Sequence, residues 1–325
     1  MNILKNKFIV SIFISFLFAF SLSPLAFSLD SSIKASFKPE KVKQGDILLV
    51  TVKANPGAYK ISGTFLDKPV YFYADSNKNS YAALIGIDMN TEPGMYTLSL
   101  ILEEETNPPP FNSPLAKGED RGVKGGKGGL SNEKGRKIKK NYKIKVRPVK
   151  FGLQRLTLPK EMVELDEETL KRVKAEQEKI GKVWNIFTEE YLWEGNFISP
   201  AEGEVSSNFG LRRIINGEPR NPHNGIDFAA PEGAPVYAPN HGRVVFVDEQ
   251  FFSGKSLVID HGFGLFTMYF HLSEILVEAS GEIKKGQLIA KVGKSGRATG
   301  PHLHWGMRLN GAKVNPISIV NLPLE

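Results

Sequence analysis

Two histidines one residue apart lie in the segment Gly300-Pro301-His302-Leu303-His304-Trp305, and a third, His223, precedes Asp227 by four residues in His223-Asn224-Gly225-Ile226-Asp227. Side chains alternate between the faces of a strand, so His302 and His304 share one face. A spacing of four also puts His223 and Asp227 on a common face, whether that stretch is extended or helical. Three imidazoles and a carboxylate therefore have the parity to converge on one metal ion. Imidazole nitrogen and carboxylate oxygen are donors that zinc accepts where cysteine is absent, and the chain has no cysteine. Three protein ligands plus an open position is the arrangement of a catalytic zinc, whereas a structural zinc is closed by four ligands, usually with Cys. The chemistry in view is hydrolysis. Parity does not decide which of His302 and His304 would be a ligand, because both fit.

These residues sit in a C-terminal region, 196–325, that reads as strands: Val236-Tyr237-Ala238, Gly242 to Val247, Ser256 to Asp260 and Leu265 to His271, with Gly254, Gly262, Gly264, Gly281, Gly286, Gly293 and Gly296 between them. Many short antiparallel strands with Gly turns predict two packed sheets. Tyr269 and Trp305 read as core aromatics, with their strand neighbours facing the metal. His241-Gly242 and Asp260-His261-Gly262 fit turn positions, which makes His241 and His261 structural. Ahead of this region lies a linker, 151–195. Within it, Asp166 to Phe187 has a capping Asp, acidic residues in its first turn and an apolar stripe of Leu170, Val173, Ile180, Val183 and Trp184, all signs of an amphipathic helix. Residues 29–150 alternate in short strands such as Ile47 to Val52, Tyr71 to Tyr73, Tyr96 to Leu100 and Lys139 to Val146, with Tyr142, Ile144 and Val146 on one face. That spacing predicts an immunoglobulin-like β-sandwich, a binding or spacing module without catalytic residues. The fold class is mainly β.

Residues 107–136 are Pro-rich and then Gly/Lys-rich, with little to bury, and predict a disordered insert before the last strand of the sandwich. Its Gly-Gly-Lys-Gly-Gly is no phosphate loop, because the Gly-Lys-Ser/Thr ending is missing. The net charge is +7, yet residues 107–150 alone hold 13 Lys and Arg against 3 Asp and Glu. The basicity is thus one local patch, best read as a solvated linker and a poor argument for a nucleic-acid partner. At the N-terminus, Lys5 and Lys7, the apolar stretch Phe8 to Phe20 and the small residues around Ser28 read as a signal peptide, 1–28. Serines and Pro24 dilute the stretch below what a membrane anchor needs, and no later segment is long enough to span. The mature chain is expected to be exported, to the periplasm or cell envelope or to the medium.

His223-Asn224-Gly225-Ile226-Asp227-Phe228, Met268-Tyr269-Phe270-His271-Leu272 and Thr299-Gly300-Pro301-His302-Leu303-His304-Trp305 together resemble the three signature segments of the lysostaphin-type (LytM-like) zinc metallo-endopeptidases of peptidoglycan. Ser207-Asn208-Phe209-Gly210-Leu211-Arg212, Gly286-Gln287 and Val314-Asn315-Pro316 match in type and order as well. The resemblance covers about the last 130 residues and implies a lysostaphin-like, duplicated hybrid motif type of β domain. It implies that His223, Asp227 and His304 hold one zinc ion and that His271 and His302 act on the water beside it, one of them as general base. Asn208, Arg212 and Arg213 are candidates for substrate contact at the groove edge, Asn208 and Arg212 foremost. The implied substrates are the stem peptides and cross-bridges of peptidoglycan. Two other readings share the fold: a regulator of cell-wall amidases that has lost catalysis, and a wall-binding protein. Every ligand position is filled here, which favours the enzyme, unless the linker or its helix blocks the groove.

Overall fold

In a computed structural model of the protein, the described residues are 33–55, 58–75, 79–105 and 136–324. The expected signal peptide lies outside them, as does the basic insert apart from Arg136. The first eight strands are β1 (Lys34–Lys38), β2 (Ile47–Lys53), β3 (Tyr59–Phe65), β4 (Lys68–Val70), β5 (Phe72–Asp75), β6 (Ser80–Gly86), β7 (Gly94–Glu104) and β8 (Lys137–Val146). They pair antiparallel in two sheets, ordered β1-β2-β6-β5 and β4-β3-β7-β8. Leu48, Val50 and Val52 of one sheet and Leu98, Leu100 and Leu102 of the other fill the space between them. Ile144 and Val146 are buried with them, as the alternation of β8 predicts.

The other face of β2 has a different partner. Ile47 and Leu49, with Ala82 and Leu84 of β6, join a core made mostly by the C-terminal domain, including Trp193, Phe209, Leu309 and Ala312. Sheet β1-β2-β6-β5 is therefore covered on both sides, which is why β2 reads as an unbroken apolar run, not as an alternation. Polar links complete the contact: Lys313 N donates to Asp88 Oδ2 at 2.7 Å and Asn315 N to Gly45 O at 2.7 Å.

The remaining elements are β9 (Leu153–Leu156), α1 (Glu167–Val183), β10 (Val205–Ser207), β11 (Arg212–Ile215), β12 (Glu218–Arg220), β13 (Gly225–Ala229), β14 (Pro235–Tyr237), β15 (Gly242–Gln250), β16 (Gly254–Asp260), β17 (Leu265–Ile275), β18 (Glu282–Ile283), β19 (Leu288–Val292), β20 (His302–Leu309), β21 (Ala312–Lys313) and α2 (Pro316–Val320). Ten of these strands form one hydrogen-bonded set along the path β10-β13-β20-β17-β16-β15-β18, with β21 on β20 and β14 reached through β19. The layers are continuous through β17, whose first half pairs with β20 and whose last residues pair with β19. A second sheet, β12-β11-β9, lies beside this set, with β9 parallel to β11.

Strand β20 positions the site. Its odd residues, Leu303, Trp305, Met307 and Leu309, are buried in the main core. The alternation then puts His302, His304, Gly306 and Arg308 on the opposite face. Helix α1 covers the far end of that face. The Arg308 guanidinium lies 4.4 Å from the Trp184 ring, which packs edge-on against Phe266 at 5.7 Å. Val183 and Ile180 pack with Phe246, Val258 and Met268. Asp166 caps the helix by accepting from Thr169 N at 2.7 Å. Leu170, part of the expected stripe, is exposed. The helix ends the histidine-bearing face of the sheet and leaves the histidines themselves uncovered.

Candidate metal centre and cleft

Strands β13 and β20 pair in a register that sets Asp227 opposite His304 and Ala229 opposite His302. Directly opposed residues share a face, so the carboxylate and both histidines meet on one side of the sheet. His223, just before β13, is pinned by its backbone N, which donates to Leu211 O at 2.9 Å, and by its ring, whose Nδ1 lies 2.9 Å from Asn208 O. The result is a triangle: His223 Nε2, Asp227 Oδ1 and His304 Nδ1 lie 2.9 Å from one another. All three residues are buried. Phe270, paired with His304 on the neighbouring strand, stacks on its ring with centroids 5.4 Å apart.

The triangle has too few protons to be a hydrogen-bonded cluster. In the tautomer whose Nδ1 hydrogen is donated to Asn208 O, His223 presents a lone pair at Nε2. Asp227 Oδ1 brings only lone pairs. Burial foremost, against the pull of Asp227, brings His304 down to about 4 and so keeps it neutral, with one ring hydrogen for two nitrogens. Its Nε2 is buried without a hydrogen-bond partner among the described residues. Burial alone would raise Asp227, but the His223 and His304 rings packed against it outweigh that and hold the carboxyl below the usual range, ionised. Three converging lone pairs, one of them anionic, suit a cation, and two imidazoles with one carboxylate suit zinc.

His302 and His271 stand beside the triangle. His302 Nδ1 lies 2.8 Å from Gly300 O and His271 Nδ1 lies 2.8 Å from Ser295 O, so a carbonyl takes the hydrogen of each and leaves Nε2 bare. The two rings are 4.7 Å apart, and His302 Nε2 is 3.9 Å from Asp227 Oδ1. Burial, reinforced by His304 and His302, pushes His271 down to about 3. Strand alternation would put His271 on the same side as the buried Tyr269, away from the site. Two features reverse this: an extra residue in β17 relative to β16 between Tyr269 and Leu272, and a left-handed backbone at His271 with φ of 61°. A bulge re-aims a side chain in this way, and strained backbone gathers at functional positions.

A cleft of about 320 Å³ opens onto these groups. One wall comes from outside the C-terminal domain: Gln154, Leu156 and Leu158 of the linker, with β9 paired to β11. Gln154 Oε1 accepts from Arg213 Nε at 3.0 Å, and Arg213 Nη2 lies 3.6 Å from Asp227 Oδ2. Arg297 enters from the loop before β20 and donates from Nη1 to Met162 O at 3.4 Å. Of the two foremost substrate-contact candidates, Asn208 serves the site through its backbone carbonyl on His223, while its side chain is exposed. Arg212 is turned away and lines a separate hollow with Gln44, Phe151 and Pro222. The physical reason is strand parity: in β11 it is Arg213, one residue on, that faces the cleft. Sequence reading named Arg213 beside Arg212 without preferring it, and did not single out Gln154 or Arg297. His261 is buried in the core, its ring 2.6 Å from His241 O and 2.8 Å from Thr267 Oγ1, and His241 lies outside the cleft.

A buried two-histidine, one-carboxylate set with free imidazoles beside it, on an antiparallel sheet, defines a metallopeptidase type of site. Residues 221–316 match Peptidase family M23, which marks them as a domain of that family. Peptidoglycan DD-endopeptidase ShyA of Vibrio cholerae is 43% identical over 121 residues, covering 37% of this chain and 28% of the relative. DD-carboxypeptidase/endopeptidase Mpg of Neisseria meningitidis is 42% identical over 115 residues, 35% of this chain and 26% of the relative. The chain thus spans under a third of these relatives' lengths. A peptidase M23 crystal structure from Pseudomonas aeruginosa aligns with a TM-score of 0.58 at 26% identity, covering 86% of this chain and 95% of that one. The likeness therefore extends through the N-terminal sandwich as well as the metal domain.

Proposed function

We propose that this protein is an exported, zinc-dependent endopeptidase that hydrolyses the peptide cross-links of bacterial peptidoglycan. The observation that carries the reading is the triangle of His223, Asp227 and His304 with two further imidazoles beside it, each with Nδ1 committed to a carbonyl and Nε2 free. Zinc in such a set supplies Lewis acidity toward a carbonyl oxygen and makes water a stronger acid. His302 or His271 takes the proton of the attacking water at Nε2. The same nitrogen then returns a proton to the leaving amine as the carbon–nitrogen bond breaks. The imidazolium formed in between stabilises charge developing on the carbonyl oxygen. Phe270 and the buried strand core keep His304 from rotating, so the site is set before substrate arrives.

Relatives named as peptidoglycan DD-endopeptidases support this substrate class and place of action in the cell envelope. Among the described residues, no helix is long and apolar enough to cross a membrane. The N-terminal sandwich is read as an immunoglobulin-like spacing or wall-targeting module, a reading that its two antiparallel sheets β1-β2-β6-β5 and β4-β3-β7-β8 support. The test is digestion of purified peptidoglycan by the protein with and without a chelator, with released fragments identified by mass. Cleaved cross-links that vanish with the chelator and return with zinc are expected. His302→Ala and His271→Ala should retain zinc yet lose about 100-fold or more in rate. Intact zinc binding with no bond cleaved defeats the enzyme reading.

A further inference from the structure

Strands β9, β11 and β12 carry a polar row into the metal cleft. Arg213 is directly opposite Arg220 in the antiparallel β11–β12 pair and level with Gln154 in the parallel β11–β9 pair. Opposed residues share a face, and like charges facing each other across a ladder destabilise it. Arg297 belongs to the same group: both Arg213 and Arg220 act on its guanidinium electrostatically, and it lines the cleft with Arg213. Arg213 and Arg297 thus line the approach to the metal set, with the exposed Arg220 beside Arg213 at its edge. Among the described residues, the one carboxylate in ion-pair range of any of them is Asp227, 3.6 Å from Arg213 and already committed to the metal triangle.

A surplus of buried or half-buried positive charge is costly in an unliganded fold. Arg213 and Arg297 are both partly withdrawn from water. The Arg297 guanidinium has one hydrogen bond, to Met162 O, and one face on the Phe252 ring at 4.2 Å, which leaves most of its five donors to a ligand. Guanidinium forks match planar carboxylates with two parallel bonds. A peptide seated for cleavage at the metal would run past this group.

We propose that Arg213, Arg220 and Arg297 form a carboxylate-binding subsite beside the metal centre, which selects cross-link peptides that carry a free carboxylate next to the scissile bond. This rests on the peptidase reading and narrows it. A diamino dicarboxylic acid linked through one of its amines keeps a carboxylate on the carbon that bears that amine; a lysine-type side chain or a glycine bridge has none there. The substrate is accordingly the anionic, directly cross-linked stem peptide. Gln154 is a positioning residue that holds Arg213 through Oε1.

The experiment uses the zinc-loaded full chain and two synthetic cross-linked peptides identical except that one carries the carboxylate and the other its carboxamide. The carboxylate peptide should be cleaved with kcat/KM about 10-fold or more above the amide, a gap that closes as salt rises. Arg297→Gln and Arg220→Gln should each cost about 10-fold on the carboxylate peptide, through KM, and leave the amide peptide within about 2-fold. Equal cleavage of both peptides, or equal loss on both in the variants, overturns the subsite. If Arg297→Gln proves unstable, Arg297→Lys, which keeps charge but not the fork, should give an intermediate loss confined to the carboxylate peptide. If neither peptide is cleaved, the peptidase reading fails, and calorimetric binding of the same pair decides the subsite. Preferential binding of the carboxylate peptide that Arg297→Gln abolishes upholds it, and indifference between the two overturns it.

Discussion

A β-carbon on Gly225 would stand 2.4 Å from the Trp305 carbonyl and 2.7 Å from His304 Nε2. Gly225 donates nothing to a metal, yet the distance between β13 and β20 and the seat of the His304 ring both depend on its lack of a side chain. Gly225→Ala should therefore push the two strands or the imidazole aside. Zinc affinity should fall about 10-fold or more, as when a ligand's supporting contacts are lost, and stability by about 1–3 kcal/mol from overpacking. Competition against a chromophoric chelator measures the first and denaturant unfolding the second; unchanged affinity would show that the ring does not need this space. At this scale the sequence was highly legible for His223, Asp227, His302 and His304, because spacing of two and four survives any regular backbone. It was poorly legible for His271, whose useful orientation comes from a bulge and a positive φ that no alternation rule contains. Arg213 was named with its twin but not preferred to it: deciding between adjacent arginines needs the phase of β11, which four residues do not reveal.

Among elements, those with two dissimilar faces define the site. Strand β20 packs one face into the core and turns the other first to the metal set and then to α1. The helix was readable in advance from its cap and acidic first turn, and the cap gives a clean test. Asp166→Ala removes the side-chain bond to Thr169 N and should cost about 1 kcal/mol. The unfolding midpoint should drop accordingly, and amide exchange in the first turn should quicken. Zinc content should not change, since the helix touches no ligand; a loss of zinc would mean that α1 braces the site. Strand β9 was not readable. Leu153-Gln154-Arg155-Leu156 is too short for a period to emerge, and it is a strand because β11 offers it an edge. Tertiary context decides such segments.

For the whole molecule, the sandwich and the metal domain share one core, so the boundary visible in the sequence as a change from strands to helix is no gap in packing. The continuous apolar run of β2 was the sign of this, since a strand exposed on one face would alternate. One histidine makes this core sensitive to acid. His261 is buried among Thr267, Tyr269 and Phe197, and burial, the largest influence on it, lowers it to about 4. Unfolded, it titrates near 6.5. Above that value His261 is neutral in both states and its contribution is intact. As pH falls from about 6.5 toward 4, the unfolded chain takes up a proton that the folded core refuses, and stability declines; below 4 this loss is complete. At about 1.4 kcal/mol per unit, the loss amounts to about 3 kcal/mol. His261→Gln should be the weaker protein at pH 7.5, having lost well-made bonds to His241 O and Thr267 Oγ1. Unable to titrate, it should escape this share of the acid loss. Urea unfolding of both proteins at pH 7.5 and 4.5, with chelator present so that the metal ligands are alike, should find the gap between them narrowed by about 2–3 kcal/mol at the lower pH. A constant gap would mean that His261 is protonated in the folded core, and that water reaches it.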